Sequence, residues 1–486
     1  MSAVAKVSDI TVPTGLFIGG EWRTATSGGV FDVVDPATGE ALCSVANATA
    51  DDAAAALDSA VAAQHSWAAT APRKRAELLE VAFAAVIARE RDFATLITRE
   101  MGKPYREAAA EVAYGAEFLR WFAEQAAHVR GDFGQAPDGS YRIITTKQPV
   151  GPSLLITPWN FPIAMATRKI GAAMAAGCTM VMKAAQQTPL TMNLFAEVLA
   201  EAGLPAGVLN VVTTEDAAGL SKRLMADPRL RKVSFTGSTA VGSTLLRQTA
   251  DNILRSSMEL GGNGPFLVFD DADIDAAIDG AMVAKLRNGG QSCVAANRFL
   301  VQRPVLDEFT QRLTARFAKL GVGDGMDSGT DVGPLIDGKQ RDKVAELVDD
   351  AVALGARVEL GGKALDRPGF FYAPTVLTEV PRSARVYSEE IFGPVACIYP
   401  FGDDDEGIAL ANDTPYGLVS YLYSRDGARA IRAAEALKSG MVGINRGLVS
   451  NPAAPFGGIK ASGLGREGGE LGIDEFLETM QIALQV

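Results

Sequence analysis

The sequence predicts an α/β protein built around a parallel β-sheet, and two observations carry this prediction. From Ser153 onward, short apolar segments alternate with longer segments whose apolar residues recur at helical spacing. The short segments are apolar at consecutive positions, which is typical of strands covered by helices on both faces. In chain order the predicted elements are strand 153–157, helix 163–176, strand 178–182, helix 190–202, strand 208–212, helix 216–226, strand 232–235 and helix 239–249.

A second α/β block follows the first. A strand is predicted over 266–269 and a helix over 273–286, and a strand-rich stretch extends over 356–400. At 486 residues the chain is long enough for about three domains. The sequence therefore predicts more than one folded unit.

The two ends of the chain have other patterns. Residues 16–34 are typical of short strands joined by glycine-rich turns, and helical spacing extends from residue 51 to about 127. Turn and strand signals return over 131–147. The segment 476–486 has strand character, and two roles stay open for it: pairing with the sheet edge of another chain, or forming an ordinary edge strand.

The charge balance and the composition exclude several classes of function. Acidic residues outnumber basic ones by 58 to 46, and the net charge of −12 would repel the phosphates of nucleic acids and anionic membranes. The chain has two histidines and four cysteines, with no CxxC pair, so we expect neither a metal site nor a disulfide framework. These features favour a protein of the reducing cytoplasm.

We also expect no membrane-spanning segment and no secretion signal. The N-terminal residues lack a continuous apolar stretch before a cleavage site. The longest uncharged run, 148–167, is long enough to cross a bilayer, but prolines at 149, 152, 158 and 162 forbid a regular helix through it. We interpret this run as a buried, turn-rich segment.

Polar residues follow the predicted strands of the first sheet where those strands end. The segment 157–160 follows the first strand, Lys183 the second, and the segment 236–239 the fourth. Ligands bind beyond the carboxyl ends of the strands in an open parallel sheet. The small residues from Gly237 to Gly242 would let backbone N–H groups approach a pyrophosphate, although helix capping is an equally ordinary use for them.

One cysteine differs from the other three. Cys293 follows the glycine-rich segment 288–292 and lies thirty-four residues after Glu259. Backbone amides around such a loop can lower a thiol pKa from its usual value of about 8.5, which would make the thiol a better nucleophile. The other cysteines lie in strand-like apolar runs, which indicates packing roles: Cys43, Cys178 and Cys397.

Eight motifs occur in order along nearly the whole chain. They are TPWNFP (157–162), GCTMVMK (177–183), FTGS (235–238), ELGGN (259–263), GQSC (290–293), EEIFGP (389–394), NDTPYGL (412–418) and PFGGIKASGLGRE (455–467). Together and at this spacing they resemble the aldehyde dehydrogenase superfamily. The resemblance implies a Rossmann-type parallel-sheet cofactor domain, an α/β catalytic domain and a small β oligomerisation element.

The resemblance also implies how the chain divides. Residues 1–126 and 150–261 would form the NAD(P)-binding domain, and 262–461 the catalytic domain. Residues 127–149 and 462–486 would form the oligomerisation element. A homodimer or homotetramer is implied as well.

The same resemblance implies oxidation of an aldehyde through a covalent intermediate. Cys293 would add to the aldehyde carbonyl, and the Asn160 amide and the Cys293 backbone N–H would hold the oxyanion. Glu259 would activate the water that releases the acid, a base role that needs no histidine. NAD or NADP would be the cofactor. The residues implied to hold it are Thr157, Trp159, Lys183, Gln186, Gly237, Ser238, Gly242, Glu390 and Phe392.

Two arginines indicate an anionic substrate. Arg168 and Arg287 stand where relatives that oxidise neutral aliphatic aldehydes tend to have aromatic or apolar residues. Two guanidinium groups suggest a clamp for a substrate carboxylate, and pairing with the acidic surplus of the chain is the alternative. With Ser450 they resemble succinate-semialdehyde dehydrogenases. We therefore expect succinate semialdehyde as the first candidate substrate and glutarate semialdehyde as the second.

Four positions depart from the family pattern or stay open. Ala184 replaces a proline that usually follows the lysine. Gln186 stands where relatives have a glutamate that disfavours the 2′-phosphate of NADP or a serine that allows it, so the choice of cofactor stays open. Ala295 replaces a second cysteine of some relatives, which excludes a Cys–Cys redox pair there. Arg446 is interpreted as forming a surface salt bridge, with a role at the substrate mouth as the alternative.

Two other functions remain as alternatives. A CoA-acylating semialdehyde dehydrogenase would keep the cysteine but would not need Glu259 to activate water. A binding or structural protein on the same scaffold is the other, because a fold does not by itself determine a function.

Overall fold

The structure, a computed structural model, describes residues 4–485 and arranges their strands in three larger sheets and two hairpins. The strands are β1 (Val4–Val7), β2 (Ile10–Pro13), β3 (Leu16–Ile18), β4 (Glu21–Arg23), β5 (Val30–Val34), β6 (Ala41–Ala46), β7 (Phe133–Gln135), β8 (Arg142–Pro149), β9 (Ser153–Ile156), β10 (Met180–Lys183), β11 (Leu209–Val212), β12 (Lys232–Thr236), β13 (Arg255–Glu259), β14 (Gly264–Val268), β15 (Ala296–Gln302), β16 (Arg357–Leu360), β17 (Thr375–Thr378), β18 (Val395–Phe401), β19 (Val419–Tyr423), β20 (Met441–Ile444), β21 (Gly463–Leu464) and β22 (Leu477–Leu484).

Helices connect and cover these sheets. They are α1 (Ala50–Ala69), α2 (Pro72–Ala88), α3 (Glu90–Met101), α4 (Tyr105–Ala126), α5 (Pro162–Ala176), α6 (Pro189–Glu201), α7 (Ala217–Met225), α8 (Thr239–Thr249), α9 (Ile274–Leu286), α10 (Leu306–Phe317), α11 (Gly338–Ala353), α12 (Arg385–Ser388), α13 (Asp404–Asn412), α14 (Gly427–Ala436) and α15 (Leu471–Asp474). Short 3₁₀ turns span Ala250–Asn252, Arg287–Gly290, Arg303–Val305 and Lys460–Ser462.

The first large sheet has eight strands in the order β21-β13-β12-β9-β10-β11-β3-β4. Its five central strands are parallel, so their carboxyl ends lie at one edge, and β3 and β21 join antiparallel at the two sides. The predicted strands and helices of this block are confirmed to within a few residues. The predicted parallel α/β fold is therefore correct.

The second large sheet has seven strands in the order β16-β17-β18-β15-β14-β19-β20. All neighbours from β17 to β20 are parallel, and β16 is antiparallel at the edge. The last residue of β13 and the first residue of β14 are separated by four residues only, so the chain passes directly from the first sheet to the second. This passage brings the ends of the two sheets together around the candidate site.

The third sheet is antiparallel, in the order β22-β8-β7. The segment predicted as a C-terminal strand is confirmed: β22 pairs along its full length with β8, with Leu477 opposite Pro149 and Leu484 opposite Arg142. Within residues 4–485, β22 has β8 as its one neighbour, so its outer edge is free. The predicted oligomerisation element includes residues 462–486. Within that segment β21 pairs with β13 and so belongs to the first large sheet, not to the third.

Helix α5 runs through the interior beside the first sheet. Pro162 occupies its first turn, where a missing N–H costs nothing, and Gly177 ends it with a φ of +89°. Every residue from Pro162 to Ala176 is buried, including Arg168 and Lys169. Charged side chains on a helix buried all round need partners, and Glu467 supplies a carboxylate to both.

No helix in the part of the chain from residue 4 to 485 is long and apolar enough to cross a membrane.

Candidate active site

A cleft of about 710 Å³ opens at the carboxyl ends of the central strands of the first sheet. It extends to the segment after β13 and to the loop that carries Cys293. Eleven of the residues predicted for the site line this cleft: Thr157, Trp159, Asn160, Lys183, Gln186, Gly237, Ser238, Glu259, Cys293, Glu390 and Phe392. Residues that are far apart in the sequence are thus brought to one surface.

Asn160 lies in the turn between β9 and α5. Its side-chain Nδ2 donates to the Gln291 carbonyl at 3.1 Å, while its Oδ1 is buried and has no hydrogen-bond partner among the described residues. Its main-chain carbonyl accepts hydrogen bonds from Lys103 Nζ at 2.7 Å and from Asn288 Nδ2 at 2.8 Å. The Asn160 amide is therefore held next to the loop that contains Cys293.

That loop owes its shape to three successive residues in the left-handed region. Asn288, Gly289 and Gly290 have φ values of +59°, +60° and +76°. A Cβ on Gly290 would lie 2.2 Å from the Gly393 carbonyl oxygen, so glycine is required there by space as well as by φ. This turn sets the position of the backbone N–H of Cys293 relative to Asn160.

The expectation of a lowered thiol pKa is wrong for this structure. Burial raises the pKa of Cys293 to about 12, and the carboxylates Glu390 and Glu259 add to the rise. Arg168 and Arg287 oppose it by stabilising the thiolate. The cost of placing an anion in a desolvated cleft exceeds the help that these two cations give.

Glu259 is the last residue of β13, and its carboxyl group is nearly fully buried. Its main-chain carbonyl accepts the N–H of Gly237 at 3.0 Å, which fixes the strand end, while Oε2 has no hydrogen-bond partner within residues 4–485. Burial raises the pKa of Glu259 well above its usual value, and the nearby carboxylate of Glu467 adds a smaller rise. Three cations, Arg168, Lys169 and Arg466, partly offset this rise.

The two arginines predicted to bind substrate have different surroundings. Arg168 is 2% exposed, lies 3.3 Å from a Glu467 oxygen and is flanked by the Phe118 and Phe456 rings. The alternative interpretation, pairing with an acidic residue, thus applies to Arg168. Arg287 is half-buried over the Tyr114 and Phe161 rings, and no carboxylate in the described part of the chain pairs with it.

Ser450 and Arg446 lie in the segment after β20. Ser450 is half-buried, and no hydrogen bond within residues 4–485 joins its hydroxyl to either arginine. Arg446 is exposed, and its Nε donates to the Leu448 carbonyl at 2.5 Å. The salt-bridge interpretation of Arg446 is therefore wrong, because its partner is a backbone carbonyl.

The cofactor side of the cleft contains one buried cation. Lys183 ends β10, and burial alone lowers its pKa to about 8. No carboxylate of the described residues pairs with its ammonium group. Next to it, Gln186 Nε2 lies 3.4 Å from an oxygen of Glu215, a residue that the sequence interpretation missed.

The small residues at the start of α8 have two different roles. Gly237 and Ser238 line the cleft, and a Cβ on Gly237 would lie 2.4 Å from the Phe235 ring. Gly242 does not line the cleft, and a Cβ there would lie 2.3 Å from Leu260 Cδ2. The prediction that Gly242 contacts a cofactor is corrected accordingly: it lets α8 pack closely against the segment after β13.

Glu390 and Phe392 are held at the cleft by residues that sequence reasoning missed. Lys343 and Gln340, both on α11, donate to the main-chain carbonyls of Glu390 and Phe392 at 2.8 and 2.9 Å. Glu390 accepts the Gly262 N–H at 3.1 Å, and burial raises its pKa to about 7. No motif marks the two residues of α11, because they act on backbone atoms some fifty residues away.

The geometry agrees with the family suggested by the motifs, and the aldehyde dehydrogenase family matches residues 22–482. The chain belongs to the aldehyde dehydrogenase family. The predicted fold class and enzyme class are thereby confirmed.

Curated members of this family are similar over nearly their full length. The chain is 56% identical to a succinate-semialdehyde dehydrogenase of Paenarthrobacter nicotinovorans, covering 91% of this chain and 98% of the relative. It is 50% identical to the NADP(+) succinate-semialdehyde dehydrogenase GabD of Escherichia coli K12, over 95% of both chains. It is 49% identical to a glutarate-semialdehyde dehydrogenase of Pseudomonas putida, over 97% of both chains.

Solved structures of the family have the same fold. A succinate-semialdehyde dehydrogenase from Burkholderia pseudomallei superposes with a TM-score of 0.96 at 47% identity, over 98% of both chains. A betaine aldehyde dehydrogenase from Staphylococcus aureus in complex with NAD+ superposes with a TM-score of 0.95 at 34% identity, over 98% of this chain and 95% of the other.

The cleft fits the dinucleotide that the family implies. Lys183 is 7% exposed and lines the cleft, and its ammonium group has no carboxylate partner within residues 4–485, which suits hydrogen bonding to hydroxyl groups. The first residues of α8 present backbone N–H groups beside Gly237, and a pyrophosphate is stabilised at a helix N-terminus. The Trp159 and Phe392 rings, 5.4 Å apart, supply an apolar wall.

Proposed function

We propose that this enzyme oxidises succinate semialdehyde to succinate with NAD or NADP as cofactor. The observation that carries the proposal is Arg287, a half-buried guanidinium six residues before Cys293 that packs over the Phe161 ring and has no carboxylate partner among residues 4–485. A cation placed this way suits a substrate whose far end is a carboxylate. The two relatives named succinate-semialdehyde dehydrogenase, at 56% and 50% identity, support the same substrate.

The first half of the proposed reaction forms a bond to sulfur. The Cys293 thiolate adds to the aldehyde carbon, and the carbonyl oxygen becomes an oxyanion that the Asn160 amide and the Cys293 N–H stabilise. When bound, the nicotinamide cofactor accepts the hydride of the aldehyde carbon. Lys183, Gly237 and Ser238 would hold the dinucleotide, with Thr157, Trp159, Gln186, Glu390 and Phe392 around it.

The second half releases the acid. Cys293 then carries a thioester, and water attacks its carbonyl carbon. Glu259 takes one proton of this water, the C–S bond breaks, and the same proton passes to the departing sulfur, which gives the carboxylic acid and the free thiol. The carboxyl of Glu259, with its unpartnered Oε2, lines the same cleft as Cys293 and is free to bond a water there.

Replacing Arg287 by leucine tests the substrate. We expect kcat/KM for succinate semialdehyde to fall about 100-fold, because a desolvated hydrogen-bonded charge pair is lost, while kcat/KM for butanal stays within about threefold. Arg287→Lys keeps the charge but not the paired N–H donors of the guanidinium group. Its kcat/KM for succinate semialdehyde should lie between that of the unaltered enzyme and that of Arg287→Leu. Arg168→Leu should instead slow the oxidation of succinate semialdehyde and of butanal alike, because Glu467 loses a partner.

The measurement is a matrix of four aldehydes against NAD and NADP. If the unaltered enzyme oxidises butanal as well as succinate semialdehyde, the carboxylate clamp is wrong. Glutarate semialdehyde is the second candidate, supported by the 49% identical Pseudomonas putida relative. Glutarate semialdehyde has one more methylene group than succinate semialdehyde. Such a difference changes kcat/KM by about 10- to 200-fold, so the matrix distinguishes the two substrates.

The cofactor preference is proposed to depend on Glu215. Because the aldehyde carbon reacts at Cys293, the adenosine half of the cofactor would lie at the other end of the cleft, near Lys183 and Gln186. Glu215 brings a carboxylate to Gln186 there and is anchored by Asn47 Nδ2 at 3.0 Å. A negative charge at this place disfavours the extra phosphate of NADP.

Glu215→Gln should therefore shift the enzyme towards NADP. We expect the ratio of kcat/KM for NADP to that for NAD to rise about two- to fivefold, a modest change because Glu215 is exposed and its charge is screened. Calorimetry with 2′,5′-ADP and 5′-ADP gives a readout that needs no turnover. Glu201→Gln, also exposed, is the control, and an equal shift in both variants would contradict the assignment.

Two alternative activities are less well supported. A CoA-acylating enzyme would not need a carboxyl that activates water, yet Glu259 lines the cleft with an unpartnered oxygen. Release of free succinate in the absence of CoA would exclude that activity. A binding protein without catalysis would show no turnover with any aldehyde.

We further propose that the protein is a cytoplasmic homodimer or homotetramer. Large apolar side chains are exposed on the third sheet, among them Phe133 at 69%, Leu484 at 46% and Ile482 at 39%. The free edge of β22 could receive a strand or loop of a second copy. The four free cysteines are consistent with a reducing compartment, and the mass in solution by light scattering tests the assembly. We also propose that the chain is divided into a cofactor domain, a catalytic domain and an oligomerisation element.

A further inference from the structure

A cluster of charged and amide groups, buried except for one half-buried glutamate, lies behind the candidate oxyanion site. It consists of Lys103, Glu107, Glu111 and Asn288, and we refer to it as the Lys103 cluster. Lys103 Nζ donates to Glu111 at 2.5 Å and to the Asn160 carbonyl at 2.7 Å. The side chains of Lys103 and Glu111 are 1% exposed. None of the four residues of the cluster lines the cleft.

Glu111 connects the cluster to helix α5. Its Oε2 accepts the bond from Lys103, and its Oε1 accepts the N–H groups of Ile163 and Ala164 at 3.1 and 3.3 Å. These are N–H groups of the first turn of α5, which have no partner inside the helix. One carboxylate therefore fixes both the lysine and the helix that begins directly after Asn160.

Asn288 connects the cluster to the nucleophile loop. Its Nδ2 donates to the Asn160 carbonyl at 2.8 Å and to the Gln291 carbonyl at 2.9 Å. Its backbone N–H donates to Glu107 at 2.6 Å. The carbonyls of Asn160 and Gln291 are thus tied together by one amide group.

Burying the charged groups of the Lys103 cluster contributes little to the stability of the fold. Desolvating a lysine and two glutamates costs free energy that their mutual attraction only partly returns, and apolar residues often replace buried ion pairs without loss. Burial lowers the pKa of Lys103 and raises that of Glu107, which reflects this cost. Apolar side chains cannot hydrogen-bond to backbone groups, so they could not hold these backbone atoms in position.

We infer that Lys103 is a positioning residue for the oxyanion site. By holding the Asn160 carbonyl against Glu111 and Asn288, it keeps the Asn160 amide and the Cys293 N–H at the separation needed to bind one oxygen. The inference rests on the proposed function, which assigns these two donors to the oxyanion. Lys103 does not touch the substrate, and it acts through the backbone of Asn160.

Two reactions of Cys293 separate this role from a general structural one. In alkylation by iodoacetamide the thiolate displaces iodide, and no oxyanion forms. In acylation by p-nitrophenyl acetate the thiolate adds to the ester carbonyl, an oxyanion forms, and p-nitrophenolate leaves with a thioester on Cys293. Neither reaction needs the cofactor, so both can be measured at pH 8.5 on the full-length protein.

We expect Lys103→Met to slow acylation about 10- to 100-fold and to leave alkylation within about twofold. The range lies below the loss of about 100- to 1,000-fold that follows removal of an oxyanion donor itself. Glu111→Gln keeps the size of the side chain and an oxygen for the helix N–H groups. It should show the same selective loss and replaces Lys103→Met if the latter does not fold. Lys74→Met, at an exposed position, should change neither rate.

Asn160→Ala distinguishes failure of this inference from failure of the proposed function. If Asn160→Ala slows acylation selectively but Lys103→Met and Glu111→Gln do not, the positioning role is wrong and the oxyanion assignment stands. If Asn160→Ala leaves acylation unchanged, the oxyanion assignment fails and the inference fails with it. Equal slowing of alkylation and acylation in Lys103→Met would overturn the inference in favour of a structural role.

Discussion

Cys293→Ala is expected to abolish aldehyde oxidation while cofactor binding persists. Loss of a catalytic nucleophile lowers kcat by more than about 10⁴-fold, because the remaining oxyanion donors and the water-activating base have no covalent intermediate to act on. The substitution removes one sulfur atom from a half-buried position, so the free energy of unfolding should change little. The measurement is the rate of NAD(P)H formation with succinate semialdehyde.

Cofactor binding supplies the internal control for this variant. Trp159 lines the cleft, so its fluorescence should respond to NAD equally in the variant and in the unaltered enzyme. Cys43→Ala is the matched control, since Cys43 is also half-buried but lies on β6, in the hairpin with β5. Residual turnover of Cys293→Ala above about 1% would assign the nucleophile to another residue.

Glu259→Gln is expected to separate the two halves of the reaction. The thioester should form at nearly the normal rate and then hydrolyse about 10²- to 10⁴-fold more slowly, the range typical for removal of a general base. A single burst of NAD(P)H, equal to the number of active sites, should therefore precede a very slow steady state. Mass spectrometry should find the succinyl group on Cys293.

The pH dependence follows from the raised pKa of Glu259. A carboxyl whose pKa lies well above its usual value keeps its proton to higher pH than an ordinary glutamate, and it must lose that proton before it can accept one from water. The hydrolysis rate should thus increase with pH up to that raised pKa. In Glu259→Gln the hydrolysis rate should no longer increase with pH in this way. An unchanged increase in the variant would mean that another group is the base.

Much of the fold was predictable because its signals are local. Four of the parallel strands, β9 to β12, are short apolar runs, and the helices between them have clear spacing and caps. β13 was not predicted, since its sequence Arg-Ser-Ser-Met-Glu is largely polar and it forms a strand through pairing with β12. Tertiary context outweighs strand propensity at such a position.

The candidate site divides in the same way. Residues inside motifs, such as Asn160, Glu259 and Cys293, were identified from the sequence and lie together in the cleft. Lys103, Gln340 and Lys343 were missed, because each acts on backbone atoms of a distant segment and leaves no periodic pattern. The pairing of Arg168 with Glu467 joins residues 299 positions apart, which a single sequence does not reveal.

The buried setting of Cys293 has a consequence for the protein between turnovers. Peroxide and other oxidants attack the thiolate, and a thiol whose pKa is about 12 is almost wholly protonated at neutral pH. Desolvation therefore slows the reaction of the sulfur with oxidants at neutral pH. With alanine at position 295 there is no neighbouring thiol to form a disulfide with an oxidised sulfur, so slower oxidation of the protonated thiol matters more at this site.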